Sequence, residues 1–247
     1  MSPEVGENFF DEDGENKLGD EPEFRVEQPR EKIELSNKEF LDVLCSERFL
    51  GVINKAGRTT KRSGHETGFG VFVLEDKSFL IPGIKEGSNT SMGRNGEEKI
   101  IEGKSIAEEV AYKKCSEIGF HFHPGEGEAV MPSSSDLNAL CGSESLFGVC
   151  QIEKDSAINI LLVRAKNYIH PSEISENANS YAEELDESGI GDLSPKRGQG
   201  VVFKALDNNG FEAFLISFLY KKGKYELTDE SKETISKMGD LKLDLSK

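Results

Sequence analysis

Apolar and polar positions along the middle of the chain alternate between a helical period and short apolar runs. From Ser36 to Leu50, the residues Phe40, Leu41, Leu44 and Leu50 fall on roughly one face at helical spacing, which predicts a helix. Glu66 to Leu74 (ETGFGVFVL) and Ser78 to Pro82 read as strands separated by the turn Glu75-Asp76-Lys77. Gly83 to Glu98 is polar and glycine-rich and reads as a loop. Ser105-Ile106-Ala107-Glu108 has the form of a capping box and predicts a helix to about Ser116, followed by a strand from Ile118 to His123. Ser133-Ser134-Ser135-Asp136 opens another helix, with Leu137, Leu140 and Cys141 behind it. Leu146–Ile152, Ala157–Arg164, Val201–Leu206 and Phe211–Leu219 predict four further strands, and Asp229–Met238 a closing helix. Helices interleaved with a mostly antiparallel or mixed sheet make the fold class α/β, or α+β.

Two stretches break this pattern. Residues 1–30 carry ten acidic side chains against three basic ones, with few apolar residues and no period, which reads as a disordered acidic arm. Residues 171–199 are again acidic and rich in turn formers, and read as a loop or insertion with room for a short helix at Tyr181 to Leu185. The core therefore spans 31–170. Residues 200–247 are expected to return to the same sheet, because their two strands are too few to bury a core alone.

Charge narrows the function. A net charge of −16 over 247 residues argues against a nucleic-acid partner, since phosphate binding needs a basic surface. No apolar run reaches the length of a membrane span, and the N-terminus has neither the basic nor the apolar region of an export signal. Cys45, Cys115, Cys141 and Cys150 show no paired spacing and read as buried thiols in a reducing cytoplasm.

The chemistry concentrates in His121-Phe122-His123-Pro124, followed by Ser133-x-x-Asp136. Residues two apart on a strand share a face, so both imidazoles can point at one ion. A carboxylate then arrives at a helix start. Two imidazoles and one carboxylate, with a fourth position for water, is the ligand set of a hydrolytic zinc site.

H-x-H-P, a loop, then S-x-x-D at a helix start resembles the core signature of the JAB/MPN family of JAMM metallopeptidases. The resemblance covers roughly residues 33–165. It implies a curved mixed sheet flanked by helices, with cytidine-deaminase-like layering. It also implies a glutamate near the start of an earlier strand, the place that Glu66 takes here before Thr67-Gly68-Phe69-Gly70. By the same resemblance, Zn²⁺ sits on His121, His123 and Asp136, Glu66 is the general base, and Ser133 donates to the oxyanion. The substrate would be an amide or isopeptide bond, following the C-terminal glycine of a ubiquitin-like protein. Two departures stand out: Phe122 where the family usually has Ser or Thr, and nine residues from Pro124 to Pro132 where it usually has seven.

Other readings stay open at this point. Ser133 also reads as a plain helix cap. Glu75, Glu108 and Glu109 are rivals of Glu66 as base, while His65 and His170 read as bystanders. H-x-H with Glu128 partly matches a cupin metal motif, whose later histidine the chain lacks. A catalytically idle MPN-like scaffold and a JAB-related hydrolase of a small adduct are the alternative functions.

Overall fold

The computed structural model describes residues 31–87, 99–103, 114–125, 129–140, 146–153, 156–167 and 170–245. In chain order these form β1 (Lys32–Leu35), α1 (Asn37–Cys45), α2 (Glu47–Ser63), β2 (Thr67–Leu74), β3 (Phe79–Leu80), β4 (Gly83–Glu86), β5 (Lys99–Gly103) and β6 (Cys115–Phe122). There follow α3 (Ser134–Asn138), β7 (Leu146–Ile152), β8 (Ile158–Ala165), α4 (Pro171–Glu187) and a 3-10 turn (Ile190–Asp192). The chain ends with α5 (Pro195–Asn208), β9 (Phe211–Lys221), β10 (Lys224–Leu227), α6 (Asp229–Lys237) and β11 (Leu241–Asp244). A nine-stranded sheet runs β10-β9-β8-β7-β6-β2-β4-β5, with β3 added to β2, and β1 pairs with β11 separately. Every pairing is antiparallel except β6 with β7. The fold is thus mixed α/β, a curled mixed sheet flanked by helices.

Strand alternation divides the core in two. Phe69, Val71 and Val73 of β2, and Ile118, Phe120 and Phe122 of β6, pack with Phe40, Leu44, Phe49 and Ile53 of α1 and α2. There the Phe49 ring stands edge-on to Phe69 and Phe120, with centroids 5.7 and 5.3 Å apart, an arrangement that adds to plain burial. Helix α2 can lie this close because of Gly57, where a Cβ would sit only 2.9 Å from Ile152 Cδ1. On the other face, Val149, Leu161, Val163 and Phe211 pack under Ala178 and Tyr181 of α4 and Val202, Ala205 and Leu206 of α5. Since Phe120 and Phe122 point to the first face, His121 and His123 belong to the second.

Several expected elements are different. The helix expected over Ser36–Leu50 is two helices: Ser46, with φ −65° and ψ 145°, ends α1 and caps α2, its side chain accepting from Phe49 N–H. Residues 83–86, expected within a loop, form β4, whose Lys85 and Glu86 pair with Gly68 and Thr67 of β2. The stretch 171–199 is not a loop, because α4 occupies 171–187 and α5 begins at Pro195. Its composition is acidic, yet Ile174, Ala178, Tyr181 and Leu185 recur at helical spacing and are buried. Residues 201–206, expected as a strand, lie inside α5; Gly198, Val202, Ala205 and Leu206 form its buried stripe, and Pro195 opens it. Of the helix expected from Ser105, residues 104–113 lie outside the described residues, and Cys115 and Ser116 already belong to β6. The acidic arm of residues 1–30 also lies outside them. The return of the C-terminal segment to the sheet is as expected: β9 pairs with β8 along its length and α6 follows.

Candidate metal centre

His121 and His123 stand at the carboxyl end of β6, next to the parallel neighbour β7. The chain then passes through a loop to α3, a helix of five residues whose N-cap is Ser133. The Ser133 hydroxyl accepts from Asp136 N–H at 3.2 Å, and Asp136 Oδ2 accepts from Ser133 N–H at 2.7 Å and from the Ser133 hydroxyl at 2.8 Å. With Oδ2 tied into this box, Oδ1 of Asp136 faces the His121 imidazole.

Among the described residues, His121, His123 and Asp136 form a group that could hold a metal ion. The two Nε2 atoms are 3.0 Å apart, His121 Nε2 is 3.3 Å from Asp136 Oδ1, and His123 Nε2 is 3.7 Å from Asp136 Oδ2. A tetrahedral ion with ligands at the usual zinc distances separates its donors by about 3.3 Å, and one donor atom from each of the three side chains lies within 4.8 Å of the others. Their burial is intermediate, with side chains 14%, 26% and 20% exposed, enough to limit solvent and still admit a ligand. The His121 ring also stacks on Phe147 of β7, 6.4 Å between centroids.

Glu66 joins this group. It precedes β2, is 8% exposed, and places Oε1 3.9 Å from His123 Nε2. Its backbone carbonyl accepts from Gly87 N–H at 2.9 Å, which ties it to the end of β4. Burial opposes ionisation of Asp136, but the bonds to His121 and His123, the charge of His121 and the Ser133 N–H together hold its carboxyl well below the usual carboxylate range.

The other candidates sort themselves plainly. His65 is half-exposed and lies 3.7 Å from Glu86 Oε1, away from the group. Glu75 is exposed in the turn after β2, and His170 is exposed at the start of α4. Glu108, Glu109, Glu126, Glu128 and Cys141 lie outside the described residues; Cys115 and Cys150 are buried as expected, but Cys45, the last residue of α1, is exposed. Ser133 is where the sequence put it, but its one hydroxyl proton is directed at Asp136 Oδ2.

Sequence reading missed the supports of the Asp136 arm. Tyr181 of α4 is fully buried and donates its hydroxyl to Pro132 O at 3.1 Å, just before the cap. Burial, with the nearby Asp136 charge, pushes the Tyr181 phenol well above its ordinary range, so it remains a donor. Gln199 of α5 grips Val130 twice: its amide oxygen accepts from Val130 N–H at 2.9 Å and its Nε2 donates to Val130 O at 3.0 Å. Ser175 donates to Asn138 Oδ1 at 3.0 Å. The periodic apolar positions of 174–185 were the one signal that could have found α4.

A cavity of about 130 Å³ opens beside His123, lined by Thr60, Lys61, Gly64, Pro124, Gly125 and Ile152. No helix among the described residues is long and apolar enough to cross a membrane. Comparison of the chain with protein-family models, with curated proteins and with solved structures found no match.

Proposed function

We propose that this chain is a zinc-dependent hydrolase of amide or isopeptide bonds, a metallopeptidase of JAMM type. The observation that carries the reading is the convergence of His121, His123 and Asp136 with a buried carboxylate, Glu66, 3.9 Å from the nearer imidazole. Two nitrogens and one carboxylate oxygen suit zinc and leave a position open for water. A zinc ion held there would lower the pKa of water to near ~7 and polarise a substrate carbonyl.

The chain's residues divide the remaining work. His121, His123 and Asp136 would hold the ion; Asp136 Oδ2 accepts from Ser133, which fixes the carboxylate's orientation. Glu66 takes the proton of the attacking water and returns it to the leaving amine. Ser133 donates to the oxyanion of the tetrahedral intermediate once its hydroxyl turns from Asp136. The cavity beside His123 gives room for the chain next to the scissile bond. The substrate class is a protein carrying a ubiquitin-like modifier, cut after the modifier's terminal glycine. An idle scaffold has no use for a buried base beside three converging ligands.

The test is Glu66→Gln against cleavage of a ubiquitin-like fusion. Glutamine keeps the size and removes the proton acceptor, so turnover is expected to fall about 10²–10⁴-fold with zinc content unchanged. A fully active Glu66→Gln protein would show that the base lies elsewhere.

A further inference from the structure

The row of the sheet that carries Glu66 and His123 extends beyond them. One residue past the pair Thr67↔Phe122, Glu66 stands opposite His123; one past Phe122↔Cys150, Gln151 stands on the other side of His123. The bond from His123 N–H to Cys150 O, 3.0 Å, keeps that parallel register to its end. Gln151 is opposite Asn159, and Asn159 opposite Ser217. Five polar side chains thus cross the sheet in line, on the face that carries His121.

Within the row the outer members are satisfied. Ser217 donates its hydroxyl to Asn159 Oδ1 at 2.7 Å, and Asn159 Nδ2 donates to Glu153 Oε1 at 2.8 Å. Gln151 is the exception: the residue is 5% exposed, and its Oε1 is buried with no hydrogen-bond partner. An unpaired buried acceptor costs the full desolvation of the group, so such an oxygen beside a functional side chain points to a partner.

His123 supplies the matching need. Its Nε2 faces His121, Asp136 and Glu66, so its Nδ1 points out of the cluster. An imidazole that gives one nitrogen to a metal donates its other N–H to a carboxylate, carbonyl or water, and that bond fixes tautomer and ring orientation. Among the described residues, the unpartnered buried acceptor in the adjoining position is the Gln151 amide oxygen.

We propose that Gln151 is the positioning residue of His123: its Oε1 accepts the Nδ1–H of His123 and so holds the Nε2 lone pair toward the ion. The inference rests on the metal-centre reading. The backbone register already places the two residues side by side on neighbouring strands.

The experiment compares zinc affinity, by chelator competition, in the full chain, Gln151→Leu and Gln151→Glu, together with the melting temperatures of the metal-free proteins. Gln151→Leu is expected to bind zinc about 10–100-fold more weakly, the usual effect of losing such a partner. Its metal-free melting temperature should not fall, because an unsatisfied buried oxygen has been removed. Gln151→Glu, which keeps the acceptor, is expected to stay within a few-fold of the wild type. Equal affinity in Gln151→Leu and wild type would overturn the proposal alone. A wild-type chain that binds no zinc would overturn the centre and the proposal with it. A second readout serves where Gln151→Leu does not fold: nitrogen NMR of the zinc-loaded wild type should show His123 protonated at Nδ1, with that proton protected from exchange. A freely exchanging Nδ1 proton would overturn the proposal as well.

Discussion

Ser36–Glu39 and Ser133–Asp136 are one local device placed in two surroundings. In both, the serine hydroxyl accepts from the backbone N–H three residues on, at 3.3 Å and 3.2 Å. In both, the carboxylate accepts from the serine N–H, at 2.8 Å and 2.7 Å, and from its hydroxyl, at 2.7 Å and 2.8 Å. The difference lies in what meets the remaining oxygen. Glu39 Oε1 faces Lys77 Nζ at 3.0 Å near solvent, at the start of a nine-residue amphipathic helix. Asp136 Oδ1 faces His121 Nε2 at 3.3 Å, at the start of a helix of five residues. A serine three residues before an acid is helix-capping chemistry wherever it occurs. At Asp136 the sheet brings an imidazole, that of His121, to the oxygen the box leaves free.

Measured side by side, Asp136→Asn and Glu39→Gln should give the largest contrast. Asp136→Asn is expected to lower zinc affinity by more than about 100-fold, beyond the range for an outer partner, while Glu39→Gln leaves it unchanged. Chelator competition reads both, and equal effects would make the two boxes equivalent. A smaller effect should separate the Asp136 box from its props. Tyr181→Phe leaves the Pro132 carbonyl without its donor and is expected to cost about 1–3 kcal/mol of stability in denaturant unfolding. Zinc affinity should fall by less than in Asp136→Asn, since the ligands themselves remain; unchanged stability would show that the hydroxyl holds nothing.

The smallest effect concerns acid. The Ser36 hydroxyl, its N–H and Lys77 lower the Glu39 pKa from the ordinary 4.5 to about 2. A carboxyl whose folded pKa is depressed contributes its stability above the unfolded value and loses it as pH falls through the folded one. Between pH 4.5 and about 2, the melting temperature of the wild type should therefore fall slightly more steeply than that of Glu39→Gln. The difference stays small because the box is exposed and screened by solvent. Identical slopes in calorimetry would show that the box carries no net stabilisation.

That His121, His123 and Asp136 form a group that could hold a metal was legible from spacing: two histidines on one strand face and an acid at a helix start. Glu66, singled out through the family resemblance at the start of the strand expected over 66–74, lies just before β2, and its Oε1 is 3.9 Å from His123 Nε2. The helices of the second face were hidden for two physical reasons. Acidic composition masked the buried stripe of Ile174, Ala178, Tyr181 and Leu185, of which the last three pack into the core of the second face. Val201, Val202 and Phe203 form an apolar run that fits a strand and a helix equally until length and packing decide. Short edge strands such as β1 and β10, at four residues each, carry too little pattern to be seen. Gln151 and Gln199 act through partners fixed by register and docking, which no local pattern records.

The central claim is that His121, His123 and Asp136 form a zinc centre, and metal content tests it most directly. Wild type, Glu66→Gln and the double variant His121→Ala/His123→Ala would be loaded with zinc, freed of excess ion and analysed for zinc per chain. One equivalent in the wild type and in Glu66→Gln, with almost none in the double variant, is the expected result. A full equivalent retained by the double variant, or none bound by the wild type, would contradict the account.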